Sequence, residues 1–154
     1  VALLMGKYFN VPLEDIKTAI ESYHPKNNRS QIMEKNGHKI ILDAYNANPT
    51  SMRAALENFH AMDAPDKIVI IGDMFELGPT AAEAQQGIAD LTEQLKFEQV
   101  YLVGENFFGV DTSFQKFRSF TDFKEYLDHQ PLKKGTLLIK GSRGMALERV
   151  LENL

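Results

Sequence analysis

Residues 40–52 read IILDAYNANPTSM, and their reading decides the fold. Ile40, Ile41 and Leu42 form an apolar run of strand type, and Asn48-Pro49 opens a helix. Asparagine is a preferred N-cap, and proline suits the first helical turn because its missing N–H would be unpaired there anyway. Met52, Leu56 and Phe59 then recur at the spacing of one buried helix face. Capping accounts for Asn48, but a plain turn has no need of Asp43, Tyr45 and Asn46 as well.

Outward from this stretch, the chain alternates. Upstream, SQIMEK and HKIILDA flank Asn36-Gly37, a strong two-residue hairpin signal. Residues 1–24 read as helix, turn, helix, with Gly6 at the expected C-cap and Pro12 in the first turn of the second helix. Ile16, Ile20 and Tyr23 share one face of that helix, and HPKNNRSQ then reads as a polar linker. Downstream come a strand KIVIIGD, a helix TAAEAQQGIADLTEQL, a strand QVYLVG, a short strand KFRSF and a helix from about Thr121 to His129. GTLLIKG supplies the last strand and MALERVLENL the last helix. Continuous apolar strands alternating with helices predict an α/β fold. It is Rossmann-like, a mostly parallel sheet flanked by helices on both faces, with an N-terminal β-hairpin.

Composition narrows the function classes. A chain of 154 residues is one domain, or one domain with a short appendage. Its net charge of −4 offers no basic footprint, so nucleic acid is not expected as a partner. With no cysteine there is neither a disulfide framework nor a thiolate metal site, and the four histidines are too scattered for a metal pair on one helix. No apolar run approaches the roughly 18 residues of a membrane span, and VALLM lacks the basic lead of a signal peptide. A cytoplasmic location and no membrane insertion are expected. The start at Val1, already inside an apolar segment, suggests a piece of something longer.

In an open parallel sheet, ligands bind beyond the carboxyl ends of the strands. There the first strand delivers Asp43, Tyr45, Asn46 and Asn48, and the second delivers GDMFELG with Asp73 and Glu76. The third delivers GENFFG, which reads as structural rather than functional, and the last delivers KGSRG with Lys140, Ser142 and Arg143. Backbone N–H groups, a hydroxyl and two cations leading into a helix favour an anion at KGSRG. Asp73 and Glu76 read equally well as solvated loop acids.

Missing motifs matter as much. Gly6-Lys7 has no glycine five residues earlier and no Ser or Thr after it, so it is not a phosphate-binding P-loop. DAYNANP has no glycine, which removes the dinucleotide fingerprint, and no G-x-S-x-G elbow occurs. The chain offers binding groups without a nucleophile, catalytic triad or metal cage.

DAYNANPTSM, GDMFELG and KGSRGMALE, in that order and at those intervals, closely resemble the C-terminal domain of MurF-type Mur ligases. The resemblance extends over nearly the whole chain. Residues 1–27 resemble the helical tail of the family's central ATPase domain plus a linker, and residues 28–154 its C-terminal domain. Gln85 stands where the family usually carries a histidine, and reads as a helix-surface or loop contact.

The resemblance implies an ATP-dependent ligase of peptidoglycan synthesis that joins D-Ala-D-Ala to UDP-N-acetylmuramoyl-tripeptide through an acyl phosphate. ATP and Mg2+ would be held mainly by a central domain that this chain lacks, and the C-terminal domain would close over the nucleotide and bring in the dipeptide. Carried over by residue, Arg29 would meet ATP phosphate and Asp43 the ribose or a hinge contact. Tyr45, Asn46 and Asn48 would line the same nucleotide side. From charge and loop position, rather than by carry-over, Lys140, Ser142 and Arg143 would hold the dipeptide carboxylate or the acyl phosphate, with Asp73 and Glu76 as possible loop contacts. A monomer with no catalytic residue of its own and no activity by itself is expected. The rival readings are a stand-alone nucleotide-binding module and a receiver-like signalling module; the latter needs paired acids after the first strand, which LDAY does not supply.

Overall fold

The computed structural model describes residues 1–23 and 28–154. Part of the linker lies outside the described residues. Helices α1 (Ala2–Tyr8) and α2 (Leu13–Glu21) precede strands β1 (Gln31–Lys35) and β2 (His38–Asp43), and α3 (Pro49–Ala61) leads to β3 (Lys67–Gly72). Next come α4 (Ala81–Leu95), β4 (Gln99–Val103), α5 (Glu105–Phe108), β5 (Gln115–Phe117), α6 (Phe120–His129) and β6 (Thr136–Lys140). The six strands form one sheet in the order β1-β2-β6-β3-β4-β5. All neighbours are parallel except the β1-β2 hairpin. At its turn Asn36 and Gly37 take φ of 49° and 86°, the left-handed pair that matches the twist of a two-residue hairpin.

The alternation of strand side chains builds two cores. Val69, Ile71, Leu102 and Leu138 face Met52, Leu56 and Phe59 of α3 and Ile88 of α4. Ile40, Leu42, Ile68, Ile70 and Ile139 face Phe123 and Leu127 of α6 and the C-terminal segment at Leu147 and Val150. Ile68, Val69, Ile70 and Ile71 are all buried, as a strand covered on both faces requires. Because β6 inserts between β2 and β3, its carboxyl end adjoins the loops that follow both. That placement positions the site.

Several local expectations give way. MALERVLENL does not form an α-helix; it forms 3₁₀ turns at Arg143–Met145 and Leu147–Asn153, parted by Ala146 at φ 47°. The side chains at i and i+3 eclipse in a 3₁₀ helix, so Leu147 and Val150 both reach the core from this segment. Gly6 is not a C-cap but lies inside α1, where a Cβ would come within 2.5 Å of Ile16 Cδ1 on α2. Pro12 is the N-cap of α2, and only Ile16 of that helix is buried; Ile20 and Tyr23 are exposed.

Candidate functional site

Asp43 and Lys140 end adjacent parallel strands in direct register. Lys140 Nζ donates to Asp43 Oδ2 at 2.6 Å and to the Asn46 carbonyl at 3.0 Å, and Lys140 is 1% exposed. A buried ammonium needs such partners, because desolvation costs more than one hydrogen bond returns. The other Asp43 oxygen accepts the Ser30 N–H at 3.1 Å, fastening the segment before β1 to this edge. Next to Ser30, the Arg29 guanidinium lies 3.9 Å from the centroid of the Tyr45 ring, a cation–π contact. Asn48 caps α3, accepting the Ser51 N–H at 2.9 Å in a capping box. The tertiary structure thus brings Arg29, Asp43, Tyr45, Asn46 and Asn48 to one edge, with Tyr45, Asn46 and Arg29 open to solvent.

A second seam joins β3 to β6. The Ser142 N–H donates to the Asp73 carbonyl at 3.2 Å, and Ser142 Oγ accepts the Phe75 N–H at 2.9 Å. Asp73 is buried, and its carboxylate accepts the N–H groups of Asn106 at 3.0 Å and Phe107 at 2.9 Å. Burial pushes its pKa above the usual carboxylate value, and these two hydrogen bonds pull the other way. Gly104 faces this carboxyl at φ 131°, and a side chain there would collide with it. GENFFG is therefore a backbone mount for Asp73, and neither Asp73 nor GENFFG is a free loop group. Glu76 is exposed, with φ 63°.

The residues of KGSRG separate. Lys140 is committed to Asp43, Ser142 ties two loops together, and Arg143 points outward with a 62% exposed side chain and Glu148 at 3.3 Å. The receiver-like reading would need an accessible lysine, and Lys140 is not one. Gln85 is fully buried, and its Nε2 donates to the Met74 carbonyl at 3.0 Å. It makes the loop contact and not the surface one.

Sequence reasoning missed a cleft of about 340 Å³ whose lining includes Asp73, Phe75, Arg118, Ser119, Phe120 and Arg149. Ser119-Phe-Thr-Asp122 is legible as a capping box, and the structure contains one there. Nothing local marks Arg118 and Arg149 as neighbours of the same cleft, because they come from opposite sides of α6. Among the described residues no three His, Asp or Glu side chains come together as metal ligands. No helix among them is long and apolar enough to cross a membrane.

Comparison with known proteins places this geometry. Residues 28–143 match the family described as Mur ligase, glutamate ligase domain. A UDP-N-acetylmuramoyl-tripeptide–D-alanyl-D-alanine ligase of Treponema pallidum is 35% identical over 96% of this chain and 34% of its own length. The Bacillus subtilis protein of the same name is 29% identical over 99% of this chain and 36% of its own. A crystal structure of MurF from Acinetobacter baumannii superposes with a TM-score of 0.77 at 29% identity, over 97% of this chain and 34% of that one. MurF ligase from Thermotoga maritima, solved with ADP, shares the fold at a TM-score of 0.80 and 23% identity, over 98% of this chain and 35% of that one. The chain spans about a third of the length of the curated relatives it matches.

Proposed function

Because the chain belongs to the Mur ligase family through its glutamate ligase domain, we propose that it is the C-terminal clamp of a longer ATP-dependent ligase. That enzyme joins D-Ala-D-Ala to UDP-N-acetylmuramoyl-tripeptide in the cytoplasm, as a monomer. Residues 1–27 are the tail and linker of its central ATPase domain, and residues 28–154 form the clamp. The observation that carries this reading is the Asp43–Lys140 pair, which gathers Arg29, Tyr45, Asn46 and Asn48 at one sheet edge. The reaction named for the relatives supplies the chemistry.

A carboxylate is a poor electrophile, and ATP activates it as an acyl phosphate that the dipeptide amine then attacks. Water would hydrolyse that intermediate, so a domain that closes over it excludes water and orients the amine. On this chain the exposed Arg29 guanidinium, backed by Tyr45, meets phosphate, and Tyr45, Asn46 and Asn48 line the nucleotide side. Asp43 and Lys140 hold that edge in shape. Ser142 shapes the loop that presents Arg143 to the substrates, with Glu76 exposed on the neighbouring loop. Magnesium ligands and the P-loop belong to the rest of the enzyme.

The test is ADP release with ATP, Mg2+ and both substrates. The longer protein releases ADP only when all are present, and the 154-residue chain releases none. Arg143→Ala in the longer protein lowers turnover and leaves folding intact. Activity of the short chain by itself, or an unchanged Arg143→Ala enzyme, contradicts the assignment.

A further inference from the structure

The tip of the β1-β2 hairpin takes no part in the site described above, and its two residues carry a chemistry of their own. Asn36 is the only asparagine in the chain that is followed by glycine. Both residues are exposed where the strands reverse. The two-residue turn pairs Lys35 with His38 and leaves the Gly37 N–H with no acceptor among the described residues. An amide nitrogen with no hydrogen bond and no neighbouring Cβ to shield it is open to reaction with the Asn36 side-chain carbonyl carbon.

Lys134 adds a charge to this tip. Its exposed side chain lies over the turn, where a Cβ at Gly37 would come 3.2 Å from Lys134 Cδ and 3.5 Å from its Nζ. No carboxylate pairs with Lys134 among the described residues. An ammonium over Gly37 favours loss of the amide proton and the negative charge that develops as the nitrogen attacks. The tip also fastens the C-terminal segment. Asn36 Nδ2 donates to the main-chain oxygen of Leu154 at 2.6 Å, and Lys35 Nζ donates to that of Leu151.

We infer that Asn36 is a self-modifying site, assisted by Lys134, whose deamidation cuts one of these ties to the C-terminal segment. A base from solvent removes the Gly37 amide proton, and the nitrogen forms a bond to Asn36 Cγ. The Cγ–Nδ2 bond then breaks, and ammonia leaves with a proton taken from water. Water opens the resulting cyclic imide at either carbonyl, giving aspartate or an isoaspartate whose backbone runs through Cγ. Water is the only co-reactant, and nothing is oxidised or reduced. The product has a carboxylate where the Nδ2 donor was, so the Leu154 oxygen loses its N–H and faces negative charge. The chemistry needs no part of a ligase beyond this chain.

Peptide mapping of the chain aged in H₂¹⁸O at mildly alkaline pH tests the site. Asn36 converts ahead of every other asparagine, gives both aspartyl and isoaspartyl peptides, and takes up one ¹⁸O in each. Lys134→Gln, at an exposed position, slows conversion of the native chain roughly three- to fivefold, as loss of one nearby charge in a watery setting requires. It leaves the rate in the urea-unfolded chain unchanged, which separates the charge from any effect on folding. Asn36→Asp reproduces the aspartyl product, and its amide exchange rises at residues 151–154 while that of β3 stays as in the wild type. Survival of Asn36 in the native chain overturns the inference, as does an equal native rate in Lys134→Gln. Unchanged exchange at residues 151–154 in Asn36→Asp overturns the link to the C-terminal segment.

Discussion

Lys140 reaches Asp43 at 2.6 Å across two neighbouring parallel strands, and the lysine is buried while the aspartate side chain is 21% exposed. The two partners are therefore unequal. Removing the acid strands a charge with no water, whereas removing the lysine leaves a carboxylate that still touches solvent and the Ser30 N–H.

Asp43→Asn is thus expected to destabilise the chain by about 3–5 kcal/mol, and Lys140→Met by less, about 1–3 kcal/mol. Urea unfolding of both variants checks the order. Equal losses, or the reverse order, would mean that the pair is not the brace described.

Gly104 sits at φ 131° against the Asp73 carboxyl. Alanine there meets both a backbone conformation that L-residues rarely adopt and a carboxyl group with nowhere to go. Gly104→Ala should cost about 2–4 kcal/mol, read as a lower Tm and loss of the Asn106 and Phe107 amide protection. A neutral substitution would show that the α5 mount is soft.

Gln85 ties α4 to the Met74 carbonyl from a fully buried position, and its Oε1 is buried without a partner. Gln85→Leu removes that unpaired oxygen but frees the Met74 carbonyl, for a net loss of about 1–2 kcal/mol. Hydrogen exchange should rise in residues 73–77 and not elsewhere. Unchanged exchange there would separate Gln85 from the loop it is said to hold.

His38 gives a pH signature. Burial first, and then the charge on Lys134, lowers its pKa. The native state therefore favours neutral His38, while the unfolded chain protonates near pH 6.5, so the unfolded state binds more protons just below that value. Its contribution is complete above about pH 6.5 and is lost as pH falls toward the native pKa. Asp73, raised by burial, acts with the opposite sign: its contribution is complete below the usual carboxylate range and is lost as pH rises through its native pKa. Comparing wild type with His38→Leu cancels the Asp73 effect. The stability difference should begin to fall as pH drops below about 6.5, with the wild type favoured at the higher pH. A difference independent of pH would place the proton elsewhere.

Much of the fold was legible because local signals agreed with the tertiary outcome. Asn36-Gly37 forms the left-handed turn its residues favour, Asn48-Pro49 starts α3, and the apolar run at 67–72 is a strand buried on both faces. MALERVLENL misled because an apolar period close to helical fits two geometries, and the core chose the 3₁₀ spacing through Leu147 and Val150. At the candidate site, residue types and strand ends were legible, but partners were not. Lys140 read as a ligand for anions until its register with Asp43 placed its ammonium inside the sheet edge.

What the sequence by itself determined is the alternation of strands and helices, the hairpin and the helix starts, because these depend on short-range sterics, capping and periodicity; the kinship of its three motifs rests on resemblance instead. The tertiary structure alone decided which charges meet. Inserting β6 between β2 and β3 pairs Lys140 with a residue 97 positions earlier and brings Ser142 to Phe75 across 67. Strand order and register set those encounters, and both follow from long-range packing that no local pattern encodes.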